Sequence, residues 1–360
     1  MLFTLPKITK ELGAQLDELD LLRARLGAEA GGGGPWLGSL RRQVRASSAE
    51  SSISIEGFHV PADEAERLVA GEDLPGTEDE SRMALACYAR AMDHVGVMAS
   101  DPSFRWLDRV ILDLHFDTCD FQRDKSPGLW RAGPIGVTGG DGSLAYRGPD
   151  ADAVPDLIAE LVDWLQAGDL DAPAVARAAM AHLNLVFIHP FRDGNGRISR
   201  IVQSLVLARE GLISPEFSSI EEYLSMHTPA YYAALRALGD HYQPELNATG
   251  WVSFCLEAHL VQARQRLAQI EQAGARWGFL ERLVAGRGWS DRLLIALEQS
   301  LFHGADRSSY ATEAGISPPT ASADLRRLLD AGLVVRQSLG RMTRYTASDA
   351  LRSDVRDALT

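Results

Sequence analysis

One short loop between two apolar segments carries the residue types best suited to chemistry. Residues 188–200 read Ile-His-Pro-Phe-Arg-Asp-Gly-Asn-Gly-Arg-Ile-Ser-Arg. Gly194, Asn195 and Gly196 tolerate left-handed backbone angles, so the loop should lead successive N–H groups into the start of a helix. Such a nest at the positive end of a helix binds phosphate groups. The spacing therefore predicts a phosphate-binding loop.

Charged side chains beside this loop indicate what happens to the phosphate. Arg197 and Arg200 are three residues apart and share a helix face. Each guanidinium group can bind two phosphate oxygens at once. Asp193 is a hard oxygen ligand placed to hold Mg²⁺, and His189 can act as a general base near neutral pH. These residues predict transfer of a phosphorus-centred group. The structural alternative is a helix-capping Asp193, a core His189 and solvated arginines.

Apolar periodicity predicts that mostly helices position this loop. One helix ends near Phe187 and the next begins near Asn195. Alternating residues around a Gly139–Gly142 turn predict one β-hairpin over Ile135–Tyr146. We therefore expect a mainly α fold with a single hairpin before the C-terminal region. Further helices are predicted over residues 8–26, from 37 onward, over 63–114 with a break at 71–76, and over 153–167 and 173–187.

The C-terminal region, from about Ser290, has a pattern of its own. Three helices are followed by a two-stranded hairpin around Gly340, an order typical of a winged helix-turn-helix. Residues 304–346 contain six arginines and four acids, a net charge of +2. This excess is small, so it favours binding of a partner protein or a second copy over DNA. For DNA, phosphates would meet Arg336, Arg341 and Arg344, and base edges would meet Thr320 and Ser322.

Composition limits the function classes. The 360 residues carry a formal net charge of −13 and are 46% apolar, which argues against a protein that coats nucleic acid or an anionic membrane. No apolar run is long enough to span a membrane, and the N-terminus lacks a signal-peptide pattern. Three widely spaced cysteines predict neither disulfides nor a zinc site. We expect a cytoplasmic protein with a helical region over 1–95, a catalytic core over 96–265 and a winged helix over 285–360.

The loop resembles the signature of the Fic family, His-Pro-Phe-x-Asp/Glu-Gly-Asn-Gly-Arg-x-x-Arg, at every fixed position. The resemblance implies that His189 deprotonates a Ser, Thr or Tyr hydroxyl of a target protein, the chain itself included. That hydroxyl would attack the α-phosphate of ATP, so that AMP stays on the target and pyrophosphate leaves. Asp193 would hold Mg²⁺ and Phe191 would anchor the loop. The nucleotide would be bound by Gly194, Asn195, Gly196, Arg197, Ile198, Ser199, Arg200 and, on a downstream helix, Tyr232.

Two further features follow from the resemblance. The Doc branch of phosphotransferase toxins has a lysine where this chain has Gly196, so nucleotidyl transfer is implied rather than phosphate transfer. Residues 128–134 and the hairpin resemble the flap that holds the target by strand addition. Tyr232 is a partial match, because His227 and Thr228 stand where this branch often has Asn-Arg. The resemblance covers residues 50–256.

Ser52-Ile53-Ser54-Ile55-Glu56-Gly57 resembles the inhibitory pattern Ser/Thr-x-x-x-Glu-Gly/Asn of the same family. Glu56 would pair with Arg200 and occupy the place of the γ-phosphate, which misaligns ATP. The same glutamate could instead orient a water that removes AMP. The structural alternative is a helix C-terminus with Gly57 as its left-handed cap and Glu56 in solvent.

Two function classes compete at this point. The first is a protein adenylyltransferase that is autoinhibited by Glu56 and acts as a monomer or as a homodimer. The second is a transcription regulator in which a Fic-like nucleotide sensor controls a DNA-binding winged helix. A retired site should have lost His189 or Gly196, and both are present. The intact motif therefore favours the enzyme.

Overall fold

A computed structural model describes residues 1–31, 34, 36–72, 79–139, 142–211, 215–302, 304–339 and 342–359. The predicted linker residues 32, 33 and 35, part of the break at 71–76, the hairpin turn at 140–141 and the wing residues Gly340 and Arg341 lie outside this description. The chain divides into two compact units, residues 1–32 with 41–267 and residues 33–40 with 268–360. No described helix is long and apolar enough to cross a bilayer.

The first unit is built from helices and one hairpin, as the periodicity predicts. Two of the helices, α2 and α12, run across the boundary between the units. Two short 3₁₀ turns cover Arg123–Lys125 and Ala151–Ala153. The helices are α1 (Lys10–Gly31), α2 (Leu37–Ser54), α3 (Ala62–Val69), α4 (Glu80–Ser100), α5 (Asp108–Cys119), α6 (Val154–Ala167), α7 (Ala174–Ile188), α8 (Asn195–Arg209), α9 (Pro215–Ser218), α10 (Glu221–Met226), α11 (Thr228–Arg236) and α12 (Thr249–Ala285).

The core of this unit surrounds α7, whose residues are buried on almost every side. A helix with apolar residues on every side belongs inside a fold, and the three polar side chains of α7 are buried with the apolar ones. Phe3, Leu183, Phe187, Tyr231 and Trp251 belong to the cluster packed around it. Because α8 follows α7 after a six-residue loop, the two helices pack against each other and hold the loop between them.

The predicted hairpin is present as an antiparallel pair, β1 (Gly136–Thr138) and β2 (Leu144–Arg147). Its register shifts between Val137 and Thr138. The Tyr146 hydroxyl donates to the carbonyl of Phe187, the second-last residue of α7. This hydrogen bond places the hairpin next to the end of α7, where the motif begins.

The helix predicted from residue 37 onward, α2, continues through the serine run and ends at Ser54. Ser52 is fully buried and the Ser54 hydroxyl donates to the Ser51 carbonyl. Local hydrogen bonding of this kind is one way in which a serine side chain is satisfied within a helix. The continuation carries α2 directly into the Glu56 segment.

The second unit contains the expected three helices and hairpin, in that order, followed by a helix that the sequence did not predict. Asp306 and Ser317 cap the second and third helices through their side chains. The expectation that phosphates would meet Arg344 is corrected by the structure. Arg344 is only 8% exposed and packs against Gly304, so no phosphate could reach it freely. The elements are α13 (Leu293–Leu301), α14 (Arg307–Glu313), α15 (Pro318–Asp330), β3 (Val334–Leu339), β4 (Met342–Ala347) and α16 (Asp349–Leu359).

Candidate active site

His189 stands at the C-terminal end of α7 in a left-handed conformation, with φ 50° and ψ 57°. Residues other than glycine rarely adopt such angles, and those that do cluster at functional sites. The ring Nδ1–H donates to the Val186 carbonyl at 2.9 Å, which leaves the lone pair on Nε2. Burial lowers the pKa of His189 below its ordinary value, so the ring is neutral at pH 7. A neutral imidazole with a fixed tautomer is suited to accept a proton.

The loop after His189 is closed by the side chain of Asn195. Its Oδ1 accepts from the Phe191 N–H at 3.0 Å, and its Nδ2 donates to the Phe191 carbonyl at 2.9 Å. Phe191 is fully buried and its ring stacks on His115 at a centroid distance of 3.6 Å. Asn195 therefore shapes the loop through its side chain, and only its main chain is left for a ligand.

His115 is a site residue that sequence reasoning missed. Its Nε2 donates to the Asp193 carbonyl at 3.0 Å, and its Nδ1 accepts from the Gly128 N–H at 2.9 Å. One ring thus ties the phosphate loop to the segment before the hairpin. Burial lowers the pKa of His115 to about 4. No local sequence signal marks this residue, because its partners lie 13 and 78 positions away.

Gly194 allows the close approach on which the loop depends. Its φ is +75°, and a Cβ there would overlap Cys119 Sγ and touch His115 Nε2. We expect Gly194→Ala to lower the free energy of unfolding by about 3 kcal/mol, from backbone strain and overpacking together. Gly71→Ala is the matched control, because Gly71 has φ +81°, no atom of the described residues lies within 4 Å of a Cβ there, and the variant should lose only about 1 kcal/mol. Urea unfolding measures both, and equal losses would contradict the close packing.

Arg200 is buried and held by the Glu56 segment. Its Nε donates to Ser52 Oγ at 2.8 Å, and its Nη2 donates to the Ser52 carbonyl at 2.9 Å. The same Nη2 is 3.1 Å from Glu56 Oε1. Burial opposes the charged form, but the charge of Glu56 raises the pKa of Arg200 above its ordinary value. The guanidinium is therefore always charged, and its Nη1 is buried without a hydrogen-bond partner in the described residues.

The Glu56 carboxylate lies directly over the phosphate loop. A Cβ added to Gly196 would overlap Glu56 Oε1 and lie 3.2 Å from Arg200 Nη1. Gly57 has the left-handed φ of +88° that the structural alternative also expected, but the Glu56 side chain, 25% exposed, is ion-paired with Arg200 and not free in solvent. The carboxylate thus takes the position of an anion at the nest.

Arg197 is buried between two aromatic rings. Its guanidinium lies over Phe58 and Phe121, at 5.4 and 5.7 Å from the ring centroids. Its Nη2 donates to Gln122 at 3.2 Å and lies 3.4 Å from Asp193 Oδ1. Nε and Nη1 have no hydrogen-bond partner in the described residues. The sequence prediction did not include these aromatic partners.

A cleft of about 470 Å³ collects most of the predicted residues. Ile198 and Ser199 do not line it, because both side chains are buried in the packing of α8. Arg197 and Arg200 lie behind the loop, and Tyr232 is at the rim, with its hydroxyl 3.5 Å from the Ile55 carbonyl. The lining of the cleft includes Glu56, His189, Asp193, Gly194, Asn195, Gly196, Tyr232 and residues 135–139 of the hairpin.

Asp193 is the predicted magnesium ligand, and its surroundings fit that role. Its Oδ1 accepts from the Gly194 N–H at 2.6 Å, while the side chain stays 35% exposed at the cleft. The described residues contain no group of three or more His, Cys, Asp or Glu that could hold a metal. Mg²⁺ in phosphoryl-transfer sites needs only one or two carboxylates, since substrate phosphates and waters complete its shell.

Arg131 is a second residue that sequence reasoning did not single out. Its Nε donates to the His189 carbonyl at 2.8 Å, and its other nitrogens donate to the carbonyls of Gly133 and Pro149. The side chain is 4% exposed. It therefore joins both ends of the hairpin segment to the backbone of the histidine.

His182 and His115 predict how stability depends on pH. His182 is buried between Gln203 and Tyr231, and burial lowers its pKa to about 3. Unfolded histidine titrates near 6.5, so below that pH the unfolded chain binds more protons and the free energy of unfolding falls. We expect a loss of about 2 kcal/mol between pH 6.5 and 5.5 in urea unfolding. His115→Gln should reduce this loss, whereas exposed His59→Gln should not; equal stability at both pH values would contradict the prediction.

Comparisons with known proteins agree with this geometry. Residues 106–207 match the model of the Fic/DOC family. The chain is 31% identical over 146 residues to protein adenylyltransferase fic-1 of Caenorhabditis elegans, covering 38% of this chain and 29% of that protein. It is 36% identical over 80 residues to a probable protein adenylyltransferase of Aquifex aeolicus, covering 22% and 25%. The matches thus span less than a third of either relative.

Solved structures show the same fold. A Fic family protein from Desulfovibrio desulfuricans superposes with a TM-score of 0.62 over 96% of this chain and 98% of that one, at 22% identity. A fragment of Fic-1 from C. elegans superposes with a TM-score of 0.58 over 72% of this chain. The matched region contains the hairpin, His189 and the phosphate loop. Residues 106–207 of this chain are therefore similar to the Fic/DOC family, and the chain has relatives that are named protein adenylyltransferases.

Proposed function

We propose that this chain is a protein adenylyltransferase that Glu56 holds in an inhibited state. The observation that carries the proposal is one cleft lined by His189, the Gly194–Gly196 nest and Glu56, whose carboxylate is paired with the buried Arg200. The names of the relatives support the reaction class.

In the proposed reaction one proton is transferred, one bond to phosphorus forms and one breaks. The acceptor is a Ser, Thr or Tyr hydroxyl of a target protein, and its proton passes to His189 Nε2. The hydroxyl oxygen forms a bond to the α-phosphorus of ATP while the bond to the bridging oxygen of pyrophosphate breaks. AMP remains on the target, and His189 later returns its proton to solvent. Positioning and charge do most of the work in such transfers.

The chain's own residues then have distinct tasks. The N–H groups of the loop bind phosphate oxygens, and Arg200 neutralises the outer phosphates once Glu56 has left. Mg²⁺, when bound, would be held by Asp193 and would neutralise phosphate charge. Arg131 keeps the backbone of His189 in place through its carbonyl.

Autoinhibition follows from competition for one guanidinium. Glu56 pairs with Arg200 where an anionic phosphate would bind, and its carboxylate covers Gly196. Two like charges in one position repel each other strongly inside a protein. ATP therefore binds productively only when Glu56 moves away.

For the second unit, we infer a winged helix-turn-helix from the order of α13–α15 and the β3–β4 hairpin. The burial of Arg344 removes one of the cations that phosphates would have met. This favours a protein partner over DNA for the unit.

Mass spectrometry of self-modification tests the proposed function. When the Glu56→Gly variant is incubated with ATP and Mg²⁺, AMP adducts should form on its own hydroxyl side chains or on proteins of an added lysate. The double variant Glu56→Gly, His189→Ala is the matched control and should gain none. Equal labelling of both variants, or of neither, would refute the assignment.

A further inference from the structure

A basic groove adjoins the catalytic cleft. It has a volume of about 430 Å³ and is lined by Lys125, Arg131, Arg192 and residues 132–135. All of these residues lie in the described part of the chain, and no carboxylate is among them. We refer to it as the basic groove.

The groove carries positive charge that the protein itself barely neutralises. Lys125 is 3.3 Å from Asp124, but both side chains are largely exposed, and such pairs contribute little. Arg192 is exposed and forms no ion pair with the described residues. Arg131 is hydrogen-bonded to three neutral carbonyls, so its charge also remains. An anionic group is the complementary occupant.

The groove and the cleft share part of their walls. Ile135 and Arg192 line both of them, and β1 begins at the next residue, Gly136. A target segment laid along β1 would therefore run from the cleft into the groove. His189 and Arg192 are three residues apart, so their Cα atoms are separated by at most about 11 Å. An extended chain covers that distance in about three to four residues.

We propose that the basic groove selects target segments with an Asp or Glu within about four residues of the acceptor hydroxyl. The inference rests on the proposed AMP transfer and names the class of substrate for that same cleft. Arg192 can bind such a carboxylate with both guanidinium nitrogens, and Lys125 adds a second positive charge. Asp124 sets a limit on the effect, because it competes for Lys125.

A degenerate peptide library tests this selection. Each peptide has one central Thr and about four random residues on each side, with Ser, Thr, Tyr and Cys left out of the random positions. Glu56→Gly labels the library with ATP, and mass spectrometry identifies the modified peptides. We expect Asp and Glu to be enriched about fivefold over Asn and Gln at one or two positions, as fits a partly exposed ion pair. High salt should reduce the enrichment.

Charge reversal in the groove provides the decisive comparison. Adding Lys125→Glu and Arg192→Glu to Glu56→Gly should abolish the acidic preference and favour Lys instead. Lys7→Glu makes the same charge change at an exposed residue outside the groove and should keep the preference. Equal labelling of acidic, neutral and basic peptides, or a preference that survives the reversal, would overturn the inference. If Glu56→Gly transfers no AMP to any peptide or to itself, the proposed function itself fails.

Discussion

Replacing Glu56 with glycine is expected to raise AMP transfer by about a hundredfold. The buried Arg200 now pairs with Glu56 at 3.1 Å, and the carboxylate lies where an outer phosphate would bind. Removing the partner of a buried arginine changes a free energy by several kcal/mol, and about 3 kcal/mol corresponds to a hundredfold shift in population. The rate of self-modification with ATP, followed by mass spectrometry, measures the gain.

Two graded variants separate charge from bulk. Glu56→Gln keeps the shape but removes the negative charge, so we expect an intermediate gain. Ser52→Ala removes the acceptor for Arg200 Nε while leaving Glu56 in place, so its gain should be small. A wild-type rate equal to that of Glu56→Gly would rule out the switch.

The same variant should change thermal stability in a ligand-dependent way. Without Glu56, the buried Arg200 loses the carboxylate that pairs with its Nη2, so the melting temperature should fall in the absence of nucleotide. ATP can replace the lost carboxylate with phosphate oxygens, and binding to the folded state alone raises stability. The ATP-induced rise in melting temperature should therefore be larger for Glu56→Gly than for the wild type. A smaller rise would contradict competition for Arg200.

Removing the base should have the opposite and largest effect on chemistry. We expect His189→Ala, in the Glu56→Gly background, to lower transfer by about 10²- to 10⁴-fold, the usual contribution of a positioned general base. ATP binding should change little, because the phosphate contacts come from the loop and the arginines. Titration of a fluorescent nucleotide provides this control. Loss of binding together with activity would indicate a structural role for His189 instead.

The pH profile of AMP transfer distinguishes the half-buried His189 from an exposed histidine. Burial lowers the pKa of His189 below 6.5, so the ring stays neutral and able to accept a proton as pH falls through that value. Transfer by Glu56→Gly should therefore stay constant from pH 8 to about 6.5 and decline only below it. If the pH at which the rate is half-maximal were 6.5 or higher, the pKa of His189 would not be lowered, and the prediction would be wrong. Initial rates in buffers of constant ionic strength provide the measurement.

Sequence alone was sufficient for the local part of the site. The loop between two helices, the tight glycines and the histidine before them are encoded within 12 residues, because nests and helix starts depend on short-range backbone geometry. The hairpin and most helices also follow from local periodicity. Glu56 was reached from the sequence only through resemblance, since 144 residues separate it from Arg200.

Long-range contacts account for what the sequence did not predict. His115 joins Gly128 to Asp193, and Arg131 joins the hairpin ends to His189, although nothing near either residue in sequence indicates a partner. The burial of Arg344 was missed for the same reason, because its neighbour Gly304 lies 40 positions away in sequence.

The amino-acid sequence by itself thus determined the chemistry available to this protein, namely a base, a carboxylate, two arginines and a phosphate loop. Only the tertiary structure decided the state of that chemistry. It buries Arg200 away from water, and an ion pair is stronger there than in water. It also brings the Glu56 carboxylate over Gly196. The −13 net charge contains no hint of this, because one carboxylate in a low-dielectric position acts more strongly on the site than many dispersed in solvent.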